Sequence, residues 1–277
     1  MIVVRTDRVD AKLEAFAAEL ESLSGLPTLF LVDESLGEID SGGRAKISLT
    51  PKACKSLGLY CPKDFAWRCG DYGFYLARTQ YPEATNIWMI ENDVRLAGTT
   101  PKALFEKFDS ISVDLVTSYL HPAEREWPWR KALKACDARP FRCFFPVVRL
   151  SAQAVDLLLE KRRAHSGQWS RRWLWPNDEG FVATTLVNAG TSFMDLNDGE
   201  PKIYRPDQFS FAPALDGSLP IESAAPVALF HPVLEGDALL RKRKRLQVRA
   251  HRRRNLTWFR RRVREAVLRR LNKQVRW

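Results

Sequence analysis

The sequence is poor in cysteine and has no long apolar run, and each shortage excludes a class of protein. Five cysteines in 277 residues are too few for a disulfide scaffold, and none forms the close C-x₂₋₄-C pair of structural zinc sites. No apolar stretch approaches the ~20 residues that a membrane-spanning helix needs. The apolar start, residues 1–4, is too short for the core of a signal peptide. We therefore expect a cytoplasmic protein with free thiols.

Three glycine-containing motifs are also missing. The sequence has no G-x-S-x-G, no G-x-x-x-x-G-K-[ST] and no G-x-G-x-x-G, which disfavours serine hydrolases, P-loop enzymes and dinucleotide-binding proteins. Hydrophobic residues still make up 45% and charged residues 28%, which are values of a globular protein rather than a disordered one. The chain therefore has a core, and its chemistry must come from other residues.

Positive charge is concentrated at the C-terminal end. Residues 241–277 hold 17 of the 44 Lys and Arg but only one of the 33 acidic residues, so the remainder of the chain is mildly acidic. The pattern predicts a body at 1–236 and a basic helical tail at 237–277. Apolar residues recur along one predicted helical face of the tail at Leu256, Phe259, Val263, Val267, Leu271 and Val275.

A basic amphipathic helix of this kind is typical of contact with an anionic membrane surface, which would make the protein peripheral on the inner face of the membrane. Two alternatives stay open: the apolar stripe packs on the body or a second subunit, or the tail binds nucleic acid. We do not favour nucleic acid, because phosphate contacts need only Lys and Arg and no apolar stripe.

Strands and helices are predicted to alternate over residues 1–190, which is typical of an α/β fold with a mostly parallel sheet. Apolar runs at 1–6, 28–32 and 87–90 predict buried strands, and the apolar spacing at 10–23 predicts a helix. The polar segment 34–50 is predicted to be a loop. Ligands bind beyond the carboxyl ends of strands in such sheets. The polar residues at those ends are Thr6, Asp33, Glu91, Asp93 and Tyr119.

The triplet Glu91-Asn92-Asp93 directly follows a predicted buried strand. Two carboxylates at i and i+2 of an extended segment point to the same side. Paired hard oxygen ligands suit Mg²⁺ or Mn²⁺ shared with a diphosphate. Taken alone, such a triplet is more often a solvated acidic turn, because E-x-D triplets are common.

Two later features carry further candidate groups. Asp178 and Glu179 stand at a predicted helix start after a Trp-Pro turn, where a carboxylate can act as a general base or simply cap the helix. His231 follows an apolar run; it is a candidate metal ligand, although a single histidine is more often structural.

The order of these features resembles the GT-A glycosyltransferases of the bacterial type, within the nucleotide-diphospho-sugar transferase superfamily. Segment 88–94 (WMIENDV) is similar to that family's acidic triplet, segment 175–181 (WPNDEGF) to its later acidic helix start, and His231-Pro232 to its late histidine. The resemblance covers residues 1 to about 235 and implies one GT-A-like, Rossmann-like sheet flanked by helices.

The resemblance also implies roles for individual residues. Glu91, Asp93 and His231 would hold a divalent Mn²⁺ or Mg²⁺, and Glu179 or Asp178 would be the catalytic base. The residues implied to bind the nucleotide part of the donor are Arg5, Thr6, Asp33, Asp71 and Asn92. Two alternatives stay open here: Asp71 as a turn or cap residue, and Arg5 paired with Asp7 or Asp10.

The resemblance implies a metal-dependent glycosyltransferase that moves a sugar from a nucleotide-diphosphate donor to a hydroxyl of a glycan or glycolipid. Trp127 and Trp129, in a predicted loop, are candidates for packing against the acceptor sugar. The alternatives are a metal-dependent nucleotidyltransferase or phosphodiesterase that uses the same carboxylates, and a non-catalytic nucleic-acid-binding protein.

Overall fold

Within residues 1–136 and 138–249, which the computed structural model describes, the chain forms eleven strands. In chain order they are β1 (Ile2–Thr6), β2 (Thr28–Asp33), β3 (Lys46–Leu49), β4 (Asn86–Glu91), β5 (Arg95–Ala97), β6 (Leu115–Pro122), β7 (Phe141–Ser151), β8 (Phe193–Asp195), β9 (Leu215–Asp216), β10 (Ala228–Phe230) and β11 (Val233–Leu234). Seven of them form the central sheet, in the order β3-β2-β1-β4-β7-β6-β8. Strand β7 is antiparallel to β4 and β6, whereas the other neighbouring pairs are parallel. The predicted α/β fold with a mostly parallel sheet is therefore confirmed.

Seven α-helices precede residue 236 within the same described residues. They are α1 (Ala11–Ser24), α2 (Pro51–Ser56), α3 (Phe65–Arg68), α4 (Asp71–Gln80), α5 (Ala103–Asp109), α6 (Ala152–Gly167) and α7 (Asp178–Asn188). Two 3₁₀ helices lie at Ala132–Cys136 and Trp169–Leu174. Helices α1 and α5 contribute to one core, and α2, α4, α6 and α7 to the other. Helices thus lie on both faces of the sheet.

The central strands are apolar because both of their faces are covered. Successive side chains of a strand point to opposite faces, so Val3 and Leu31 lie in one core and Val4 and Val32 in the other. This two-sided burial explains why continuous apolar runs in the sequence predict β1, β2 and β4.

The first helix is placed by clear end signals. The Asp10 side chain accepts a hydrogen bond from Leu13 N at its start, and Gly25 ends it in the left-handed conformation, at φ 68°. The predicted helix at 10–23 is therefore confirmed.

The predicted loop at 34–50 is partly wrong, because it contains β3. This strand lies at the edge of the sheet and pairs with β2 through Phe30–Lys46 and Val32–Ser48. Only Ile47 and Leu49 of β3 are buried, so its apolar signal is two residues long and too short to separate it from the surrounding polar segment.

The C-terminal part of the described chain is helical over 236–249. This helix begins next to the predicted boundary at 236, while residues 250–277, with most of the predicted amphipathic tail, lie outside the described residues. In the described part of the chain, no helix combines the length and apolarity that a membrane crossing requires.

Candidate metal and acid site

Three potential metal ligands meet at the carboxyl end of β4. Glu91 is the last residue of that strand, Asp93 lies in the turn after it, and His231 follows β10. One ligand atom from each lies within 4.8 Å of the others. His231 Nε2 is 3.4 Å from Glu91 Oε2 and 3.3 Å from Asp93 Oδ1. We refer to these three residues as the triad; they are the metal ligands that the sequence predicts.

Backbone pairing brings the distant histidine to the acidic turn. Strand β10 pairs antiparallel with β5, so that Phe230 lies opposite Arg95. The Val233 amide donates to the Asp93 carbonyl at 2.8 Å. This long-range antiparallel pairing holds His231 against the turn, although 138 positions separate it from Asp93 in the sequence.

The imidazole of His231 is oriented by its surroundings. Its Nδ1 lies 2.9 Å from the Ser210 carbonyl oxygen, which can only accept, so Nδ1 carries the hydrogen and Nε2 is directed at the carboxylates. The ring packs edge-on against Phe144 and Phe209. Metal-binding histidines are commonly held in this way by a carbonyl on the far nitrogen. Two carboxylates and one oriented imidazole therefore fit a divalent cation such as Mn²⁺ or Mg²⁺.

The triad attracts positive charge. Burial lowers the pKa of His231, but hydrogen bonds and charge from Asp93 and Glu91 outweigh it and raise the pKa to about 9. Burial also raises the pKa of Glu91, whereas His231 and Arg5 lower it, and the net shift is downward. The carboxylates therefore favour a cation between them, and a divalent metal ion would satisfy the same preference.

Arg5 connects the triad to the predicted acid pair. It lies opposite Glu91 in the β1–β4 register, and its Nη1 is 2.9 Å from Glu91 Oε1 and 3.8 Å from Asp178 Oδ2. Its Nη2 donates to the carbonyls of Ala66 and Trp67 at 2.6 and 3.0 Å. The alternative pairing of Arg5 with Asp7 or Asp10 is therefore wrong, because the guanidinium faces the sheet edge and α3.

Asp178 and Glu179 begin α7, after Asn177 as the helix cap. Asp178 Oδ2 accepts from Gly70 N at 2.9 Å, and Oδ1 accepts from Glu179 N at 2.8 Å. An added Cβ at Gly70 would lie 2.5 Å from Asp178 Oδ2 and 2.6 Å from Arg5 Nη1, so a larger residue there would displace these two side chains. Glu179 Oε2 accepts from Asn177 Nδ2 at 3.1 Å.

Both acids hold protons more strongly than ordinary carboxyl groups. Burial raises the pKa of Asp178 to about 7, although Arg5 acts against the shift. Burial and the charge of Asp178 raise the pKa of Glu179 to about 8. A carboxyl with a pKa near neutrality is suited to exchange protons with a substrate. Both oxygens of Asp178 accept backbone hydrogen bonds, and Asp178 is more buried than Glu179, so Glu179 is the more accessible of the two.

Thr6 and Asn92 lie beside the triad and contact each other. The Asn92 side chain donates to Thr6 Oγ1 at 3.0 Å, and the Asn92 amide donates to the Arg5 carbonyl at 3.1 Å. Asp33 ends the neighbouring strand β2 and accepts from Ser35 N at 3.0 Å. All three lie at the predicted edge of the sheet.

Asp71 is not brought into this cleft. It is fully buried, and its carboxylate accepts from Arg162 Nε at 2.7 Å, from Arg162 Nη2 at 3.0 Å and from Tyr75 Oη at 2.7 Å. With its oxygens occupied inside the core, Asp71 has no surface to offer a nucleotide, which corrects its predicted binding role. The Arg162 side chain also donates to the Pro176 carbonyl at 3.1 Å, so the pair supports the turn that precedes α7.

Aromatic side chains flank the acid pair. The Trp127 ring lies against Gly180, where an added Cβ would be 2.9 Å from it. Trp129 packs with Trp67 at a centroid distance of 6.0 Å, and Arg68 Cζ lies 5.0 Å from the Trp129 ring centre. Trp67 is 59% exposed. The sequence analysis did not single out Trp67, because the residues around it, in α3, form no motif that indicates ligand binding.

The basic C-terminal helix also approaches the triad. Burial lowers the pKa of Lys242, while Asp93 and Glu91 act in the opposite direction, which indicates that its ammonium lies within electrostatic reach of both carboxylates. Lys242 Nζ is 4.2 Å from the Phe211 ring centre. Sequence reasoning missed this contact because it assigned residues 237–277 to a tail separate from the body.

No protein-family model matches the sequence, and a search of curated proteins finds no match. Solved structures with a similar chain path include mouse xyloside xylosyltransferase 1 (15% identity, 71% of this chain and 84% of that chain, TM-score 0.40). Two others are core-mannan synthase A from Aspergillus fumigatus in its Mn/GDP form (9%, 71% and 72%, TM-score 0.40) and the inositol-1-phosphate CTP transferase from T. maritima (12%, 70% and 84%, TM-score 0.35). At these levels of similarity, the function must be inferred from the site itself. The described residues show the α/β architecture that the sequence predicts, a mostly parallel sheet with helices on both faces.

Proposed function

We propose that this protein is a divalent-metal-dependent glycosyltransferase that moves a sugar from a nucleotide-diphosphate donor to a hydroxyl of a glycan or glycolipid. The observation that carries the proposal is the meeting of two groups at one sheet edge. The triad of Glu91, Asp93 and His231 is joined through Arg5 to the acid pair at the start of α7. A cation-binding group would stabilise the departing diphosphate, and a proton-accepting group would activate the acceptor hydroxyl in an inverting transfer.

The triad would hold the donor's diphosphate through a shared cation. When bound, Mn²⁺ or Mg²⁺ would supply positive charge that stabilises the departing diphosphate. Lys242 supports the same role, because its ammonium is near the triad carboxylates and would favour an anionic group there. Thr6, Asn92 and Asp33 line the adjoining edge, where we propose that the nucleoside binds.

Glu179 is the better candidate for the base in an inverting transfer. Its carboxylate would take the proton of the acceptor hydroxyl while the hydroxyl oxygen bonds to the anomeric carbon. The nucleoside diphosphate would leave with the electrons of the broken C–O bond. Asp178 instead accepts from two backbone amides, which suits it to positioning Arg5 and Gly70.

The acceptor sugar would pack against the aromatic pair of Trp67 and Trp129. Trp67 is exposed, and its carbonyl accepts a hydrogen bond from Arg5, so the pair borders the site. Flat aromatic side chains bury apolar surface efficiently and match the C–H face of a sugar ring. The Trp127 contact with Gly180 supports an acceptor position next to Glu179.

The basic tail at 237–277 remains a proposed contact with the anionic inner face of a membrane. Its described part, 237–249, is helical. A lipid-linked glycan acceptor would be reached from that location. We do not propose a nucleic-acid partner.

The products of the reaction test the proposed function. The purified chain is incubated with Mn²⁺, a panel of sugar nucleotides and simple glycan acceptors, and the released nucleotide is identified by chromatography. A glycosyltransferase releases the nucleoside diphosphate and forms a new glycoside. Release of pyrophosphate, or of a nucleoside monophosphate, would instead support the alternative nucleotidyltransferase or phosphodiesterase. Loss of activity in Asp93→Ala, with full activity in the control Asp207→Ala at an exposed aspartate, would assign the activity to the triad.

A further inference from the structure

The 3₁₀ helix Trp169–Leu174 exposes three large apolar side chains to solvent. Trp169 is 69% exposed, Trp173 77% and Leu174 48%, and the two indole rings lie edge to face with centroids 6.2 Å apart. Exposed apolar residues on soluble proteins are usually scattered singly, whereas a cluster commonly marks a contact surface. This cluster therefore points to a partner that accepts aromatic side chains.

A cationic pocket adjoins the cluster. It has a volume of about 520 Å³, and its lining includes Lys55, Arg163 and Arg172. The described residues that line it include no carboxylate. Arg172 belongs to the same 3₁₀ helix as Trp169 and Trp173, so the pocket and the aromatic cluster share an edge.

The arginines of the pocket are held in place without loss of charge. Arg163 Nε donates to the Leu57 carbonyl at 2.6 Å. Arg172 donates to the Ser166 carbonyl at 2.9 and 3.2 Å, and its Cζ lies 4.9 Å from the Tyr60 ring centre. These partners are neutral, so they orient the guanidinium groups and leave their positive charge to attract an anion.

We propose that this face, formed by Trp169, Trp173, Leu174 and the cationic pocket, docks on an anionic lipid surface. The pocket would take the phosphate of a lipid headgroup, and the indoles would enter the interface, where tryptophan is favoured because its ring is amphipathic. Each basic residue near an anionic leaflet adds to the attraction. The combination of charge and exposed tryptophan is what selects a membrane over a purely polar anion. The proposal is independent of the proposed transferase activity.

Sedimentation with lipid vesicles tests the proposal on the full chain. Vesicles of phosphatidylcholine alone are compared with vesicles that also contain phosphatidylglycerol, for the wild type and two double variants. Trp169→Ser with Trp173→Ser is expected to weaken binding to anionic vesicles about tenfold or more. Arg163→Gln with Arg172→Gln is expected to weaken it about thirtyfold, from the loss of two charges near the surface. Phe193→Ser is the control, an exposed aromatic residue elsewhere, and should bind like the wild type.

Three results would overturn the proposal. Binding of both double variants to anionic vesicles as tight as that of the wild type would assign membrane contact to another part of the chain. A change in the sedimentation coefficient of the tryptophan variant without lipid would make this face a contact between copies of the chain. Equal binding of wild type to neutral and anionic vesicles would remove the role of the pocket. Unchanged melting temperatures of all variants establish that the differences are not due to unfolding.

Discussion

The buried Arg162–Asp71 pair predicts a large loss of stability on substitution of Arg162. Both side chains have no exposed surface in the ion pair, and Arg162 also donates to the Pro176 carbonyl and lies 3.7 Å from the Phe181 ring centre. Arg162→Met keeps the aliphatic stem but leaves the buried Asp71 charge without a countercharge, with the Tyr75 hydroxyl as its remaining side-chain hydrogen-bond donor. Removing one member of such a pair costs about 3–5 kcal/mol, a large part of the ~5–15 kcal/mol that stabilises an ordinary domain.

Urea unfolding of the full chain, followed by far-ultraviolet circular dichroism, measures this cost. Arg163→Met is the matched control, the next residue on α6 but on its exposed side, and should change the unfolding free energy by about 1 kcal/mol or less. Arg162→Met combined with Asp71→Asn leaves no buried charge, so its cost should fall short of the sum of the single costs by about 2 kcal/mol. If Arg162→Met cost no more than Arg163→Met, the interpretation of the pair would be wrong.

Three further predictions concern the site. Glu179→Gln is expected to lower kcat by about 10²–10⁴-fold while the donor dissociation constant stays unchanged, because a base acts on the chemical step; unchanged turnover would exclude Glu179 as the base. Trp67→Ala and Trp129→Ala should each raise the acceptor KM by about 2–10-fold at constant donor KM, and a rise in the donor KM alone would assign the aromatic pair to the donor. Burial raises the pKa of Asp178 to about 7 and that of Glu179 to about 8, so the folded protein binds protons that the unfolded chain has released. Their contribution to the free energy of unfolding is therefore complete below the ordinary carboxyl pKa and is lost as the pH rises through the pKa values of the folded protein. In urea unfolding, Glu179→Gln should flatten this decline between about pH 5 and pH 8. An equally steep decline in the variant would contradict the raised pKa of Glu179.

The parts of the site that are predictable from sequence are those with strong local signals. Glu91 and Asp93 follow a fully apolar strand, and two-sided burial is what makes such a strand visible in a sequence. Asp178 and Glu179 stand at a helix start, where acidic residues are favoured by the helix dipole. His231 could be proposed as a ligand only through the family resemblance, since its local sequence does not distinguish a ligand from a core residue.

The remaining features depend on contacts between distant segments. Asp71 lies at a helix start in the sequence, but its partner Arg162 comes from another helix 91 positions away, and that partner draws it into the core. Arg5 has acidic neighbours in sequence, yet the β1–β4 register places it opposite Glu91. The sequence pattern did not predict strand β3, because this short edge strand buries only alternate residues and therefore has no continuous apolar run. In each case the position of the residue depends on a partner that is distant in sequence, so the local sequence does not predict it.

The central claim is that the triad binds a divalent cation together with a nucleoside diphosphate. Thermal unfolding of the full chain is measured with a panel of nucleoside diphosphates and sugar nucleotides, with and without Mn²⁺, for the wild type, Asp93→Ala and the exposed control Asp207→Ala. A ligand at about 100 times its Kd stabilises the folded state by about 2.7 kcal/mol. We predict a rise in Tm that requires Mn²⁺, is specific for one nucleotide base, persists in Asp207→Ala and is lost in Asp93→Ala. No rise with any nucleotide, or the same rise in Asp93→Ala, would contradict the account.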